Sequence, residues 1–75
     1  MKIHVKMIGP LIYDVGFSEK EIEIPERTTA ERLLELISVP KQRPRIVTRN
    51  GRAVTPQEEL ADGDRIAVSP IYSGG

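Results

Sequence analysis

The sequence has no cysteine and a single histidine, His4. Without thiols there is no disulfide scaffold, no thiol nucleophile and no Cys zinc site, and one histidine makes no His cluster. No metal site is therefore expected. Small, disulfide-free folding suits a reducing compartment, so the expected localisation is cytoplasmic. An excess of one charge is also lacking: 11 Lys+Arg balance 11 Asp+Glu. The broad basic field that steers proteins to nucleic acid or anionic membranes is thus missing, and a protein partner fits better. No apolar run approaches membrane-spanning length. The N-terminus alternates charged and apolar residues (Met1-Lys2-Ile3-His4-Val5-Lys6) where a signal peptide would carry a continuous apolar stretch. There is no internal repeat and no low-complexity segment. At 75 residues one domain is expected, with a marginal core built by layering a few elements.

What is present reads as a short series of elements. Ile3, Val5 and Met7 alternate with Lys2, His4 and Lys6, the period-two pattern of a strand with one buried face, over about residues 2–8. Gly9-Pro10 breaks it. Leu11 to Phe17 then reads as a connection, and Glu19 to Ile24 alternates again, which predicts a hairpin with a sizeable loop. Pro25-Glu26 closes that strand, and Thr28-Thr29-Ala30-Glu31 supplies a Thr-x-x-Glu capping box led by Thr28. Ala30, Leu33, Leu34 and Ile37 fall on one face of the helix that follows, which ends before Pro40. After Pro40 to Pro44 comes a β-type run, Arg45 to Arg49. Asn50-Gly51 is the preferred pair for a tight turn, so Arg52-Ala53-Val54 is expected to return as a short strand. Thr55 to Ala61 reads as a loop or single helical turn anchored by Leu60. Asp62-Gly63-Asp64 turns the chain into a last strand, Arg65 to Ser69, with Ile66 and Val68 on one face.

A helix among strands that lie on one side of it is a two-layer α+β arrangement. Pairing the last strand parallel to the first in the sheet centre leaves the C-terminus projecting from a rigid strand. This is the β-grasp, or ubiquitin-like, topology, an expectation that rests partly on the resemblance described below: a mixed sheet of four to five strands on one main helix. The expectation is a single domain over residues 1–75 with a flexible C-terminal tail, residues 70–75. The sequence stops at Ser73-Gly74-Gly75. Two glycines have no Cβ atoms, take backbone conformations closed to other residues, and pass through a narrow channel. With no catalytic cluster elsewhere, the best candidate for a reacting group is the Gly75 carboxylate, with Gly74 as the slender neck entering a partner's active site.

Taken together, several features resemble the MoaD/ThiS family of ubiquitin-like sulfur carrier proteins: Lys2 to Met7 with Gly9-Pro10-Leu11, the Thr-led helix with Leu33-Leu34, Arg49-Asn50-Gly51 followed by Val54, Leu60 to Ile66, and Gly74-Gly75. The likeness covers essentially the whole chain, and the ordered set of Asn-Gly, Asp-Gly-Asp and Gly-Gly is more specific than any one element. It implies that an E1-like adenylating enzyme, carrying ATP and magnesium, converts the Gly75 carboxylate to an acyl-adenylate. Sulfur from a persulfide donor protein then displaces AMP to give a thiocarboxylate. On this reading the chain binds no cofactor itself. It is a protein cosubstrate or a small non-catalytic subunit rather than an enzyme by itself, working in cofactor biosynthesis with a larger synthase subunit. The long Gly9 to Ser18 connection favours the molybdopterin type over the thiamine type. The run Ser69-Pro70-Ile71-Tyr72-Ser73 departs from the small residues and prolines usual before Gly-Gly. Ile71, Tyr72 and Ser73 are accordingly read as partner-binding residues, with Tyr72 outside the partner's tunnel. Two alternatives stay open: a ubiquitin-like modifier that forms isopeptide bonds, and a plain β-grasp interaction module.

Other features have plainer readings. Asp62 and Asp64 offer too few converging oxygens for a divalent cation and suit a turn. Lys41, Arg43, Arg45, Arg49 and Arg52 form a basic segment that either docks an acidic groove or phosphate, or stays solvated. Glu19, Glu21 and Glu23 face outward and protect an edge strand. His4 is read as a surface residue. Val47 and Ala67, out of phase with the core set, are expected to leave part of the sheet's outer face apolar and open to a protein partner.

Overall fold

Strand alternation becomes burial in the first strand, β1 (Lys2–Met7): Ile3, Val5 and Met7 are buried, and the residues between them are not. The computed structural model describes residues 1–42 and 44–71. After β1 come a short helix α1 (Leu11–Val15), β2 (Glu19–Glu23), the main helix α2 (Ala30–Leu36), β3 (Arg45–Arg49), β4 (Arg52–Ala53) and β5 (Arg65–Pro70). The five strands form one mixed sheet in the order β2-β1-β5-β3-β4. β5 lies parallel to β1, with Val5 beside Ile66 and Met7 beside Val68, and antiparallel to β3. The β-grasp topology expected from the sequence is the one observed.

The core is the inner face of this sheet against α2. Ile3, Val5, Met7, Ile66 and Val68 pack with Ala30, Leu33 and Leu34, and Leu11, Ile24, Val39 and Leu60 close the sides. The expected helix face is therefore correct, and Ile37, the residue that caps α2, packs against the same cluster. At the Asn50-Gly51 turn both central residues have positive φ, 52° and 86°, which the twist of a two-residue hairpin demands. Glu19, Glu21 and Glu23 sit on the edge strand opposite Lys6, His4 and Lys2, where charge discourages pairing with other chains.

Three details differ from the sequence-based expectation. The connection after β1 contains a helix, α1. It has no polar N-cap side chain, and only Gly16 in a left-handed conformation closes it, donating to the Ile12 carbonyl over 2.8 Å. So short a segment is held by tertiary packing of fully buried Leu11 rather than by its own propensity. Second, the N-cap of α2 is Thr29, not Thr28: the Thr29 hydroxyl accepts from the Arg32 amide, whereas Thr28 is buried and its hydroxyl donates to the Pro25 carbonyl. Glu31 then falls at the second helical position, and the Thr28-led capping box does not form. Third, Val47 lies on the inner face, paired with Val68, and Ile46 takes the outer position.

Asp64 does more than turn the chain. Its buried carboxylate accepts from the Ala61 amide (2.7 Å) and the Asn50 side-chain amide (3.1 Å), and it pairs with Arg49 Nε at 2.7 Å. Arg49 also reaches Glu58 at 3.1 Å. The hydrogen bond to Glu58, opposed by desolvation and helped by Asp64, raises the Arg49 pKa above its ordinary value, so the guanidinium stays charged at any working pH. This network ties the β3–β4 turn, the loop before β5 and the first residue of β5 together. Another arginine of the basic segment, Arg45, donates to the Pro40 and Lys41 carbonyls and closes the loop ahead of β3. Both arginines thus have structural work inside the fold.

Leu33 is fully buried at the centre of the core. Leu33→Ala is expected to cost about 2–5 kcal/mol, a large share of a stability of about 5–15 kcal/mol. A thermal melt checks this: a variant that unfolds with the parent would place Leu33 outside the core.

Candidate functional site

The C-terminal segment leaves the sheet at the end of its central strand. β1, β3 and β5 converge at that end: the Ile8 amide donates to the Val68 carbonyl at 2.9 Å, and Arg45 lies opposite Pro70. Helix α1 packs beside β5 at the same end. Of the predicted site residues, Ile71 lies immediately past β5 and is exposed. Tyr72, Ser73, Gly74 and Gly75, and with them most of the expected tail, lie outside the described residues.

Strand alternation sets what surrounds this exit. His4, Lys6 and Ile8 follow one another on the outer face of the first strand, Arg65, Ala67, Ser69 and Ile71 on that of the last, and Ile46 and Thr48 on that of β3. Ile8 is 40% exposed, Ile46 44% and Ile71 49%, and Tyr13 of neighbouring α1 stands 88% exposed. Among the described residues, four of the five large exposed apolar side chains, Ile8, Tyr13, Ile46 and Ile71, lie on the segments that meet at this exit, with Ser69 beside Ile46 and half-buried Ala67 one rung back, beside Lys6 and Thr48. The expected apolar outer face exists, but Ile46 supplies it together with Ala67, in place of Val47.

Sequence reasoning missed Ile8, Tyr13 and Ile46. A signal was available for Ile46. The two-residue Asn50-Gly51 turn puts Val47 level with Val54, whose amide donates to the Val47 carbonyl over 3.1 Å. Val54 packs against the core, so Val47 must as well, and Ile46 must point the other way. Nothing comparable marks Tyr13, since the connection reads as irregular until Leu11 anchors it.

The described residues hold no assembled catalytic machinery. His4 Nε2 lies 3.1 Å from Glu19 Oε2, with both side chains substantially exposed on the open sheet face. Among the described residues no group of three or more His, Asp and Glu side chains converges as a metal site would require. A groove of about 350 Å³ runs between α2 and β3–β4, floored by Ala30, Leu34, Val47, Val54 and Pro56. It is mainly apolar and sits on the inner side of the sheet.

The sequence matches the model of the ThiS family over residues 5–75. The chain belongs to the ThiS family. Solved structures agree. A Pyrococcus furiosus protein assigned as molybdopterin converting factor subunit 1 is 31% identical, with a TM-score of 0.80 over 92% of this chain and 95% of that one. SAMP1 from Haloferax volcanii is 22% identical, with a TM-score of 0.79 over 100% of both chains. The complex of molybdopterin-converting factor subunits 1 and 2 from Helicobacter pylori contains a chain 18% identical, with a TM-score of 0.69 over 100% of both. These last two share the fold. No curated protein sequence matches the chain. Within the ThiS family the ubiquitin-like sulfur carriers use this β-grasp scaffold, and among the described residues of this member no helix is long and apolar enough to cross a membrane.

The assignment of faces on β3 is directly testable. Ile46→Ser is expected to shift stability by no more than about 0.5 kcal/mol, as an exposed substitution does, whereas Val47→Ser buries an unmatched hydroxyl and lowers the melting temperature clearly. Equal effects would mean that the two side chains do not occupy opposite faces.

Proposed function

We propose that this protein is a sulfur carrier whose Gly75 carboxylate is the reacting group. A carboxylate is a poor electrophile at neutral pH. Transfer of AMP from ATP, with loss of pyrophosphate, turns one carboxylate oxygen into part of a good leaving group. Attack by a sulfur nucleophile then expels AMP. With sulfide the product is the thiocarboxylate directly, and with a protein persulfide an acyl disulfide forms first, which a thiol reduces to the same product. ATP and magnesium belong to the E1-like partner. The observation that carries the reading is the ThiS-family match, which runs through Gly74 and Gly75. The absence of cysteine agrees with it, because no side-chain thiol is needed.

The molybdopterin type is favoured by the 31% identity to the Pyrococcus furiosus subunit and by the long, helix-containing connection between β1 and β2. The partner in that case is a larger synthase subunit, which would hold the sulfur acceptor. The Helicobacter pylori complex is of a protein with the same fold assembled with its subunit 2. The exposed Ile8, Ile46 and Ile71, with Tyr13, are the surface on which we expect such a partner to dock, leaving Gly74 and Gly75 to enter its active site.

The test is intact mass after incubation with an E1-like enzyme, ATP, magnesium and sulfide. Replacement of one oxygen by sulfur, about 16 Da, is expected for the full chain. It should be absent after deletion of Gly75 and lost or greatly reduced in Gly74→Val, with both variants melting like the parent because neither residue belongs to the described core. Retained sulfur transfer in the deletion variant would sink the mechanism. A product joined to protein lysines instead of a thiocarboxylate would make the chain a modifier, since isopeptide formation starts from the same adenylate.

A further inference from the structure

Asn50, the sequence's single asparagine, carries two constraints at once. It is the first central residue of the β3–β4 turn, at a φ of 52°, with Gly51 following at 86°. Its side chain also crosses to the start of β5: Oδ1 accepts from the Arg65 amide at 2.9 Å, and Nδ2 donates to Asp64 Oδ1 at 3.1 Å. The main chain adds a third link, from the Asn50 amide to the Arg65 carbonyl at 2.8 Å. The Asp64 side chain that receives this amide is only 8% exposed. Its Oδ2 takes the Ala61 amide and Arg49 Nε, so the Asn50 amide serves the other oxygen.

The same asparagine is chemically labile in this sequence. A side-chain amide carbon is an electrophile, and the backbone nitrogen of the next residue reaches it by closing a five-membered ring. Gly51 presents that nitrogen with no side chain beside it. The turn is open as well: both residues are exposed, and a Cβ at Gly51 would meet nothing beyond its chain neighbours within 4 Å. We propose that Asn50 is a deamidation site gated by its hydrogen bonds to Asp64 and Arg65. The folded network protects it, and reaction during a local opening makes that opening permanent. In the first step the Gly51 nitrogen gives its proton to solvent base and bonds to Asn50 Cγ. The Cγ–Nδ2 bond then breaks, and ammonia leaves with a proton drawn from water, which gives a cyclic imide. Water opens the ring at either carbonyl, leaving aspartate, or isoaspartate with the main chain running through the former side chain. One water is consumed and one ammonia released, with no change of oxidation state.

In the folded chain, a swing of Cγ toward the Gly51 nitrogen costs both side-chain hydrogen bonds. Afterwards neither product restores the bond to Asp64. Aspartate at position 50 places an oxygen where Nδ2 stood, so buried Asp64 Oδ1 loses that donor and faces a second carboxylate. Arg49 is already held by Asp64 Oδ2 and Glu58 and does not take the vacated place. Isoaspartate, in addition, lengthens the main chain of a turn built for two residues between Arg49 and Arg52. Either product loosens the start of β5.

Peptide-resolved mass spectrometry tests the gate on the unaltered chain, incubated at mildly alkaline pH either folded or in urea. Conversion of Asn50 to the acid is expected to run at least about tenfold more slowly in the folded chain. The lock is read from Asn50→Asp, which should melt clearly below the parent, with the Ala61 and Arg65 amides exchanging faster with solvent. Asn50→Gly, which keeps the turn conformation and removes the amide without adding charge, should melt between the two. The rate comparison stands even where Asn50→Asp does not fold. No conversion in urea overturns the site, and folded chain that reacts as fast as unfolded chain overturns the gate. Asn50→Asp that melts with the parent overturns the lock.

Discussion

The parallel pairing of β5 with β1 is the constraint on which the rest of the molecule depends. It brings the two ends of the sequence together at the sheet centre, with Val5 beside Ile66 and Met7 beside Val68 over Leu33 of α2. Parallel neighbours need a crossover, and here everything between the two strands serves as one. β2 and β3 then flank the central pair, and the main helix lies across the face they share. Because β5 has a neighbouring strand on both sides, the segment that follows it leaves from the sheet centre rather than from an edge.

The start of β5 is held firmly by side chains. At the start, buried Asp64 gathers the Ala61 amide, the Asn50 side chain and the Arg49 guanidinium, so the β3–β4 turn and the first residue of β5 cannot shift independently. A buried carboxylate is costly unless its oxygens are satisfied, and this one is satisfied from three sides. β5 is thus a strand of fixed register, with exposed Ile8, Ile46 and Ile71 at the end where it leaves the sheet.

Where the sequence was misread, one local pattern lost to a longer-range contact. The Thr28-x-x-Glu31 spacing is a good capping signal, yet Thr28 is drawn into the interior, where its hydroxyl meets the Pro25 carbonyl, and the cap moves to Thr29. The Leu11 to Val15 segment has no helix signal of its own beyond the Gly16 stop, and a buried leucine makes it helical. On β3 two adjacent apolar residues, Ile46 and Val47, give no alternation to read. Only the register across the hairpin, or pairing with Val68, decides which faces inward. The outer face of the sheet was partly legible for the same reason: Ala67 was placed outside correctly, while Val47 was not.

Periodicity, turn chemistry and composition were enough to determine the strands, the helix and its buried face and the tight Asn50-Gly51 turn, because each rests on contacts between residues close in sequence or on covalent properties of single residues; the β-grasp class rested in part on the resemblance to the MoaD/ThiS family. The tertiary structure alone decided that Asp64 is a buried anchor, that Arg45 and Arg49 are committed within the fold, that α1 exists, and that Ile8, Ile46, Ile71 and Tyr13 cluster around the exit of β5. Those outcomes depend on which distant segments meet, and a one-residue change of register would reverse every one of the strand faces involved.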